Sequence, residues 1–215
     1  VEIADIPYSF VGWAVPTSPE LPTILALPTT VSTLEVLQQL PRLFRYADVQ
    51  KFTDNANVFL IRALKRSLIE RLTRGAYINS AIKGMPQIEE AACFIRTPCY
   101  ISCEWALNYH GITIQAPTVC TVLTLSTAVG EARRFVWHGT GIEFSHIADR
   151  LFNGFTMRDG FSIATSEKAL LDIIYLRNGL PVRDELELDG VDFALLRQMA
   201  TLYPKRVQAY IEKLA

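Results

Sequence analysis

Between Phe44 and Asn79 the chain compresses two short helical patterns, a turn and a hairpin into one segment, and that order limits the fold more than any other feature. The first pattern runs from about Tyr46 to Phe52, with Ala47, Val49 and Phe52 as its small or apolar positions. Asp54 and Asn55 follow, a pair suited to a turn because both residue types tolerate left-handed backbone and bond to it locally. Asn57 is placed to cap a second helix through a free amide of its first turn. Along that helix Val58, Ile61, Leu64 and Leu68 recur at spacings of three and four, which predicts a stripe packed on a core. Arg62, Lys65 and Arg66 fall off the stripe and leave a basic face. Leu68 to Leu72 and Ala76 to Asn79 alternate as two strands, with Arg74-Gly75 between them as the turn. Helix, turn, helix and basic hairpin in this order predict a winged helix-turn-helix.

Chemistry follows from that layout. The second helix of such a unit enters the major groove with its N-terminal residues at base edges, while neighbouring cations neutralise phosphates. Asn55 or Asn57 can pair with adenine, and Arg62 or Arg66 can pair bidentately with guanine. Lys65 adds charge to the same face, and Arg71 and Arg74 on the hairpin reach the backbone or the minor groove. A basic helix face is more often only a solvated surface; here the order and spacing of the elements favour double-stranded DNA. The charge distribution agrees. The chain holds 21 basic and 22 acidic residues and is almost neutral. Val31 to Met85, however, holds nine basic against four acidic residues, for +5, while the segments before and after it are each at −3. A basic module between acidic neighbours predicts steeply salt-dependent binding to DNA.

The 215 residues divide into an expected Pro-rich extended arm (1–30), the winged helix-turn-helix (31–85) and a second α+β domain (86–215). Half the residues are hydrophobic, enough to bury a substantial core. No apolar run approaches the roughly 18 residues of a membrane span, and the start has no basic n-region and is broken by prolines. A cytoplasmic protein without membrane contact is the expectation. In the second domain Ile88 to Phe94 and Ser102 to His110 read as helices, the latter capped by Ser102 and closed by Gly111. Ile112 to Ile114, Thr118 to Leu125, Arg133 to His138, Gly141 to His146 and Phe161 to Ala164 read as strands of a mostly antiparallel sheet. Ser166 to Asn178, ended by Gly179, is the clearest helix, with Ala169, Leu170, Ile173, Ile174 and Leu176 facing inward. Two more helices are expected near Phe193 to Leu202 and Lys205 to Leu214.

Three segments of this second half carry a family resemblance. Tyr100 to Ile112 (YISCEWALNYHGI), Phe144 to Gly154 (FSHIADRLFNG) and Ser166 to Leu176 (SEKALLDIIYL) resemble, in the same order, the C-terminal domain of AbiEi-family antitoxins, with Trp105 standing where that family tends to have Ser. The resemblance spans about Val31 to Arg177. It implies a transcriptional regulator that binds inverted repeats in its own promoter through the winged helix. It also implies opposition to a co-transcribed nucleotidyltransferase-like toxin, in phage-defence toxin-antitoxin loci.

Other chemistry is weaker. Cys93, Cys99, Cys103 and His110 lie close in sequence, but no C-x2-C or H-x3-H pair is present, so neither a metal nor another cofactor is expected. Glu167, Lys168 and Asp172 invite comparison with nuclease carboxylates and lysine. Yet Glu167 suits the helix dipole, and Lys168 and Asp172, four apart, suit an ion pair on one helical face. No catalytic residue is assigned. The alternative reading is a nucleic-acid-processing, nuclease-like enzyme whose winged helix targets it to substrate. His138 to Gly141 (HGTG) precedes a strand and reads as a turn.

Overall fold

Ser32 opens the first helix with a reciprocal cap. Its Oγ accepts from the Glu35 amide at 3.2 Å while its own amide donates to Glu35 Oε2 at 2.7 Å, satisfying donors that a first turn leaves free. The computed structural model describes residues 32–129, 134–180 and 185–214; the arm expected at 1–30 lies outside the described residues. Helix α1 (Thr33–Gln39) leads into strand β1 (Leu43–Arg45), helices α2 (Tyr46–Val49) and α3 (Ala56–Lys65), and the hairpin β2 (Ile69–Thr73) and β3 (Ala76–Asn79). The three strands form an antiparallel sheet in the order β1-β3-β2. Gly75 holds φ +82° in the hairpin turn, a backbone region that a Cβ resists.

Three expectations for this region change. Helix α2 ends at Val49 instead of Phe52; the chain continues in turns, with the Phe52 amide donating to Val49 O at 3.0 Å. More consequentially, α3 does not bury Val58, Ile61 and Leu64. Its buried face is Ala56, Phe59, Leu60 and Ala63, while Val58, Ile61 and Leu64 are exposed. The segment holds two overlapping stripes at three-four spacing, and it is Phe59 and Leu60 that enter the cluster of Val36, Leu37, Phe44 and Tyr77. The residue at the N-cap position is Asn55, with no side-chain cap bond, so Asn57 is a first-turn residue rather than the cap.

Strand β3 is buried at all four positions because its two faces serve different cores. Tyr77 joins a cluster with Val36, Leu37, Phe44, Phe59 and Ile69. Ala76 and Ile78 point to the opposite face, as a period of two requires, and join a larger cluster with Tyr100, Leu107 and Trp137. At the end of the strand Asn79, 1% exposed, donates from Nδ2 to the Leu37 and Leu40 carbonyls at 2.8 and 3.1 Å. That side chain ties the end of α1 to the sheet.

From residue 86 onward the elements are α4 (Ile88–Ile95), β4 (Cys99–Ser102), α5 (Cys103–Tyr109), β5 (Val119–Thr124), β6 (Phe135–Trp137), β7 (Thr140–His146), a 3-10 turn (Asp149–Leu151), β8 (Phe155–Arg158), β9 (Phe161–Ala164), α6 (Ser166–Arg177), α7 (Phe193–Ala200) and α8 (Lys205–Leu214). The architecture is α+β, as expected, but the larger sheet is mixed. Its order is β6-β7-β5-β4-β9-β8, with β5–β7 and β4–β9 parallel and the other pairs antiparallel. Parallel neighbours arise because β9 comes back to lie beside β4 across the intervening strands. The expected strand at Ile112 to Ile114 is reduced to one bridge between Thr113 and Leu186. His138 and Gly139, both at positive φ, form the tight β6–β7 turn.

Helix α6 is buried continuously from Glu167 to Ile174. It packs against α5, α7, α8, β4 and β9, so no face of it is free for solvent over that stretch. Asn178 in left-handed backbone, rather than Gly179, ends it, as Asn does more readily than most residues with a side chain. None of the described helices is long and apolar enough to cross a membrane.

Candidate nucleic-acid interface

Helix α3 is anchored on one side and open on the other. With Ala56, Phe59, Leu60 and Ala63 inside, the opposite face presents Asn57, Val58, Ile61, Arg62 and Lys65. All seven residues singled out from the sequence, Asn55, Asn57, Arg62, Lys65, Arg66, Arg71 and Arg74, are exposed. Asn55, Asn57, Arg62, Lys65 and Arg66 stand on or directly beside α3; Arg71 lies on β2 and Arg74 in the hairpin turn. Arg71 points outward between the buried Ile69 and Leu72, next to an irregularity in the β2–β3 register.

Charge pairing separates these cations from others. Among the described residues no carboxylate pairs with Arg62, Lys65, Arg66, Arg71 or Arg74. Arg42 bridges to Glu90 at 2.6 Å, Lys51 to Asp48 at 2.7 Å and Arg177 to Glu104 at 2.6 Å. Arg45 is also engaged: it donates from Nη2 to the Phe94 carbonyl and lies 4.8 Å from the centre of the Phe94 ring. Between Ala56 and Asn79 the sole acidic residue is Glu70. Its Oε1 accepts from Trp137 Nε1 at 3.1 Å and sits 3.3 Å from His138 Nε2. The one carboxylate of the hairpin is therefore held at the β6–β7 turn.

A second polar cluster lies inside the fold. Lys168 Nζ donates to Asp172 Oδ1 at 2.8 Å, to Leu151 O at 2.7 Å and to the Tyr203 hydroxyl. Asp172 accepts further from Tyr203 at 2.7 Å, Ser102 at 2.7 Å and Tyr100 at 3.0 Å. Burial pushes the Asp172 carboxyl up against the opposing pull of Lys168 and its hydrogen bonds. Burial likewise pushes Lys168 down, opposed by Asp172. Both tyrosines are driven far above the ordinary phenol range by burial and by the Asp172 charge. Neither Lys168 nor Asp172 has any solvent exposure, so a substrate has no access to them. Glu167 points elsewhere, accepting from the Asp192 amide at 3.1 Å ahead of α7. Ser102, expected as a helix cap, instead spends its hydroxyl on Asp172.

Of the residues that invited a metal reading, Cys99 and Cys103 are buried and Cys93 half-buried. Desolvation drives the Cys103 thiol well above its usual range, while a hydrogen bond with Cys99 holds the Cys93 thiol below it. His110 lies 2.7 Å from the Ala164 carbonyl through Nε2 and so joins the end of α5 to β9.

The polar cluster joins three segments that are far apart in the sequence with Tyr203 from a fourth. Tyr100 and Ser102 come from the first, Leu151 from the second, and Lys168 and Asp172 from the third. No protein-family model and no curated protein matches the sequence. Among solved structures, the RV2827C protein from Mycobacterium tuberculosis is similar, with a TM-score of 0.57 and 12% identity, over 85% of this chain and 74% of that one. That likeness is one of fold alone. It places the described arrangement of helices and sheets among folds already seen in crystals, and leaves the chemistry to the residues above.

Sequence reasoning located every cation of the exposed face but not the face's centre, because it assigned Val58 and Ile61 to the interior. The competing stripe of Ala56, Phe59, Leu60 and Ala63 has the same three-four spacing, so spacing alone does not choose between them. Glu70 was missed because its partners, Trp137 and His138, are distant in sequence.

Proposed function

We propose that this chain is a DNA-binding transcriptional regulator of the AbiEi antitoxin kind, acting in the cytoplasm on inverted repeats in its own promoter. The observation that carries the reading is the set of five exposed cations on and beside α3 and its hairpin that no carboxylate pairs among the described residues. Read as a winged helix-turn-helix, α2 and α3 are the helix pair and β2–β3 the wing. In such a unit α3 lies in the major groove, Asn55, Asn57, Arg62 and Arg66 face bases, and Lys65, Arg71 and Arg74 meet phosphates. Repression of its own operon and opposition to a nucleotidyltransferase-like toxin rest on the resemblance of the three C-terminal segments. Those segments meet at one buried cluster, the first and third through side chains, the second through the Leu151 main-chain carbonyl, with Tyr203 completing it from outside them.

Fluorescence anisotropy against upstream DNA and a scrambled duplex, over a salt series, tests the reading. Expected is sequence-preferring binding whose log affinity falls with log salt at a slope of about −3 to −5 per chain. Arg62→Glu/Arg66→Glu should lose at least roughly 30-fold, at about 1–3 kcal/mol for each arginine contact, with its unfolding curve unchanged. No binding at low salt would overturn the proposal.

A further inference from the structure

Two β-branched residues lie on either side of the outermost line of α3, on which Lys65 falls. At about 100° per residue, the direction opposite the buried face falls between Ile61 and Val58, with Lys65 one turn further on. Val58 is 42% and Ile61 55% exposed. They contribute little to the packing of α3, which Ala56, Phe59, Leu60 and Ala63 supply. Nor do they favour the helix: β-branched side chains are slightly worse helix formers than alanine. Neighbours three apart on a helix meet on its surface, so the pair makes one small apolar patch. Asn57 and Arg62 flank it on either side and Lys65 lies one turn on, while Arg66, Arg71 and Arg74 are exposed further along the chain; none of these cations has a carboxylate partner among the described residues.

We propose that Val58 and Ile61 read thymine methyl groups on neighbouring base pairs; the inference rests on the DNA reading above. The C5-methyl of thymine is the apolar group that a base pair displays in the major groove, and apolar side chains recognise it by contact. Val58 and Ile61 are offset by about 4.5 Å along the helix axis, close to the roughly 3.4 Å between successive bases. Adjacent methyls are therefore within reach of adjacent side chains, while Asn57 and Arg62 take the polar edges beside them. Arg62 and Lys65 on the same helix face fit a polyanion, which an apolar patch on a protein partner would not require.

The full chain is used to enrich a duplex from a random double-stranded library. Each thymine of that duplex is then replaced singly by uracil, which deletes the methyl and keeps every hydrogen-bonding group. Two neighbouring positions should bind about four-fold more weakly as uracil, the worth of one buried methyl-sized group. Val58→Ala should abolish the penalty at one of them and Ile61→Ala at the other; both residues are exposed, so both variants should fold. An enriched duplex indifferent to every thymine methyl, or penalties that persist in both alanine variants, would overturn the assignment of Val58 and Ile61 alone. Failure to enrich any duplex would overturn the DNA reading, and this inference with it.

Discussion

Lys168 and Asp172 face each other at 2.8 Å one turn apart on α6, and neither reaches solvent. Their remaining hydrogen-bonding capacity is taken up by Leu151, Ser102, Tyr100 and Tyr203, so the pair is a satisfied unit of the core. Removing one member leaves the other charged and unpaired in a low-dielectric interior. Lys168→Ala or Asp172→Ala should each cost about 3–5 kcal/mol of stability, measured by urea unfolding. Lys168→Met/Asp172→Leu should lose less than either single change. A single variant as stable as the parent would show that the pair relaxes into solvent.

The register of α3 makes an equally direct forecast. Phe59 is buried and Ile61 is exposed, although the two lie only two residues apart. Phe59→Ala should destabilise by about 3–5 kcal/mol, whereas Ile61→Ala should stay within about 0.5 kcal/mol. Equal losses at the two positions, read from chemical denaturation, would contradict the orientation of the helix.

Asn79 joins two elements through one side chain. Asn79→Ala removes both donors and leaves the Leu37 and Leu40 carbonyls without them. The Leu37 carbonyl keeps the Leu40 amide at 3.3 Å, so only the Leu40 carbonyl is stripped; a buried acceptor without a partner costs about 1–3 kcal/mol, and a loss of that size is expected. Hydrogen exchange should quicken first in α1, whose C-terminal carbonyls Asn79 holds.

Acid should weaken the start of α2 through Asp48. Its carboxylate accepts from Lys51 Nζ at 2.7 Å and from the Arg45 amide at 2.8 Å, and the Lys51 bond is the larger cause of its lowered pKa. A carboxyl lowered on folding adds stability above its unfolded pKa and loses it as pH falls through the folded value. The contribution should be complete above about pH 5 and fade below pH 4. Stability measured from pH 6 to pH 2 should fall less steeply in Asp48→Asn than in the parent. Identical acid limbs would remove Asp48 from the account.

Much of this architecture is legible in local pattern. The hairpin with Gly75 at its turn, the helix over Ser166 to Arg177 and the helix from Lys205 to Leu214 all follow from periodicity and turn chemistry. The ion pair of Lys168 and Asp172 follows from a spacing of four. Strands β4 and β8 do not. Cys99–Ser102 is buried at every position, so it lacks the alternation that marks a half-buried strand. In Phe155–Arg158 three of the four residues are exposed, which marks a strand edge no better than a loop.

The sequence by itself determined the hairpin and the helices α3, α6 and α8 in their order, and that the stretch from Arg62 to Arg74 is rich in cations with one carboxylate among them. These are properties of neighbouring residues, and backbone sterics and helical spacing act over neighbours. Only the tertiary structure decided which of two stripes on α3 turns inward, that β9 pairs parallel to β4, that β3 serves two cores, and that Glu70 is held by Trp137. Each of those outcomes depends on the area and hydrogen-bonding groups offered by segments far apart in the chain, which no local pattern contains.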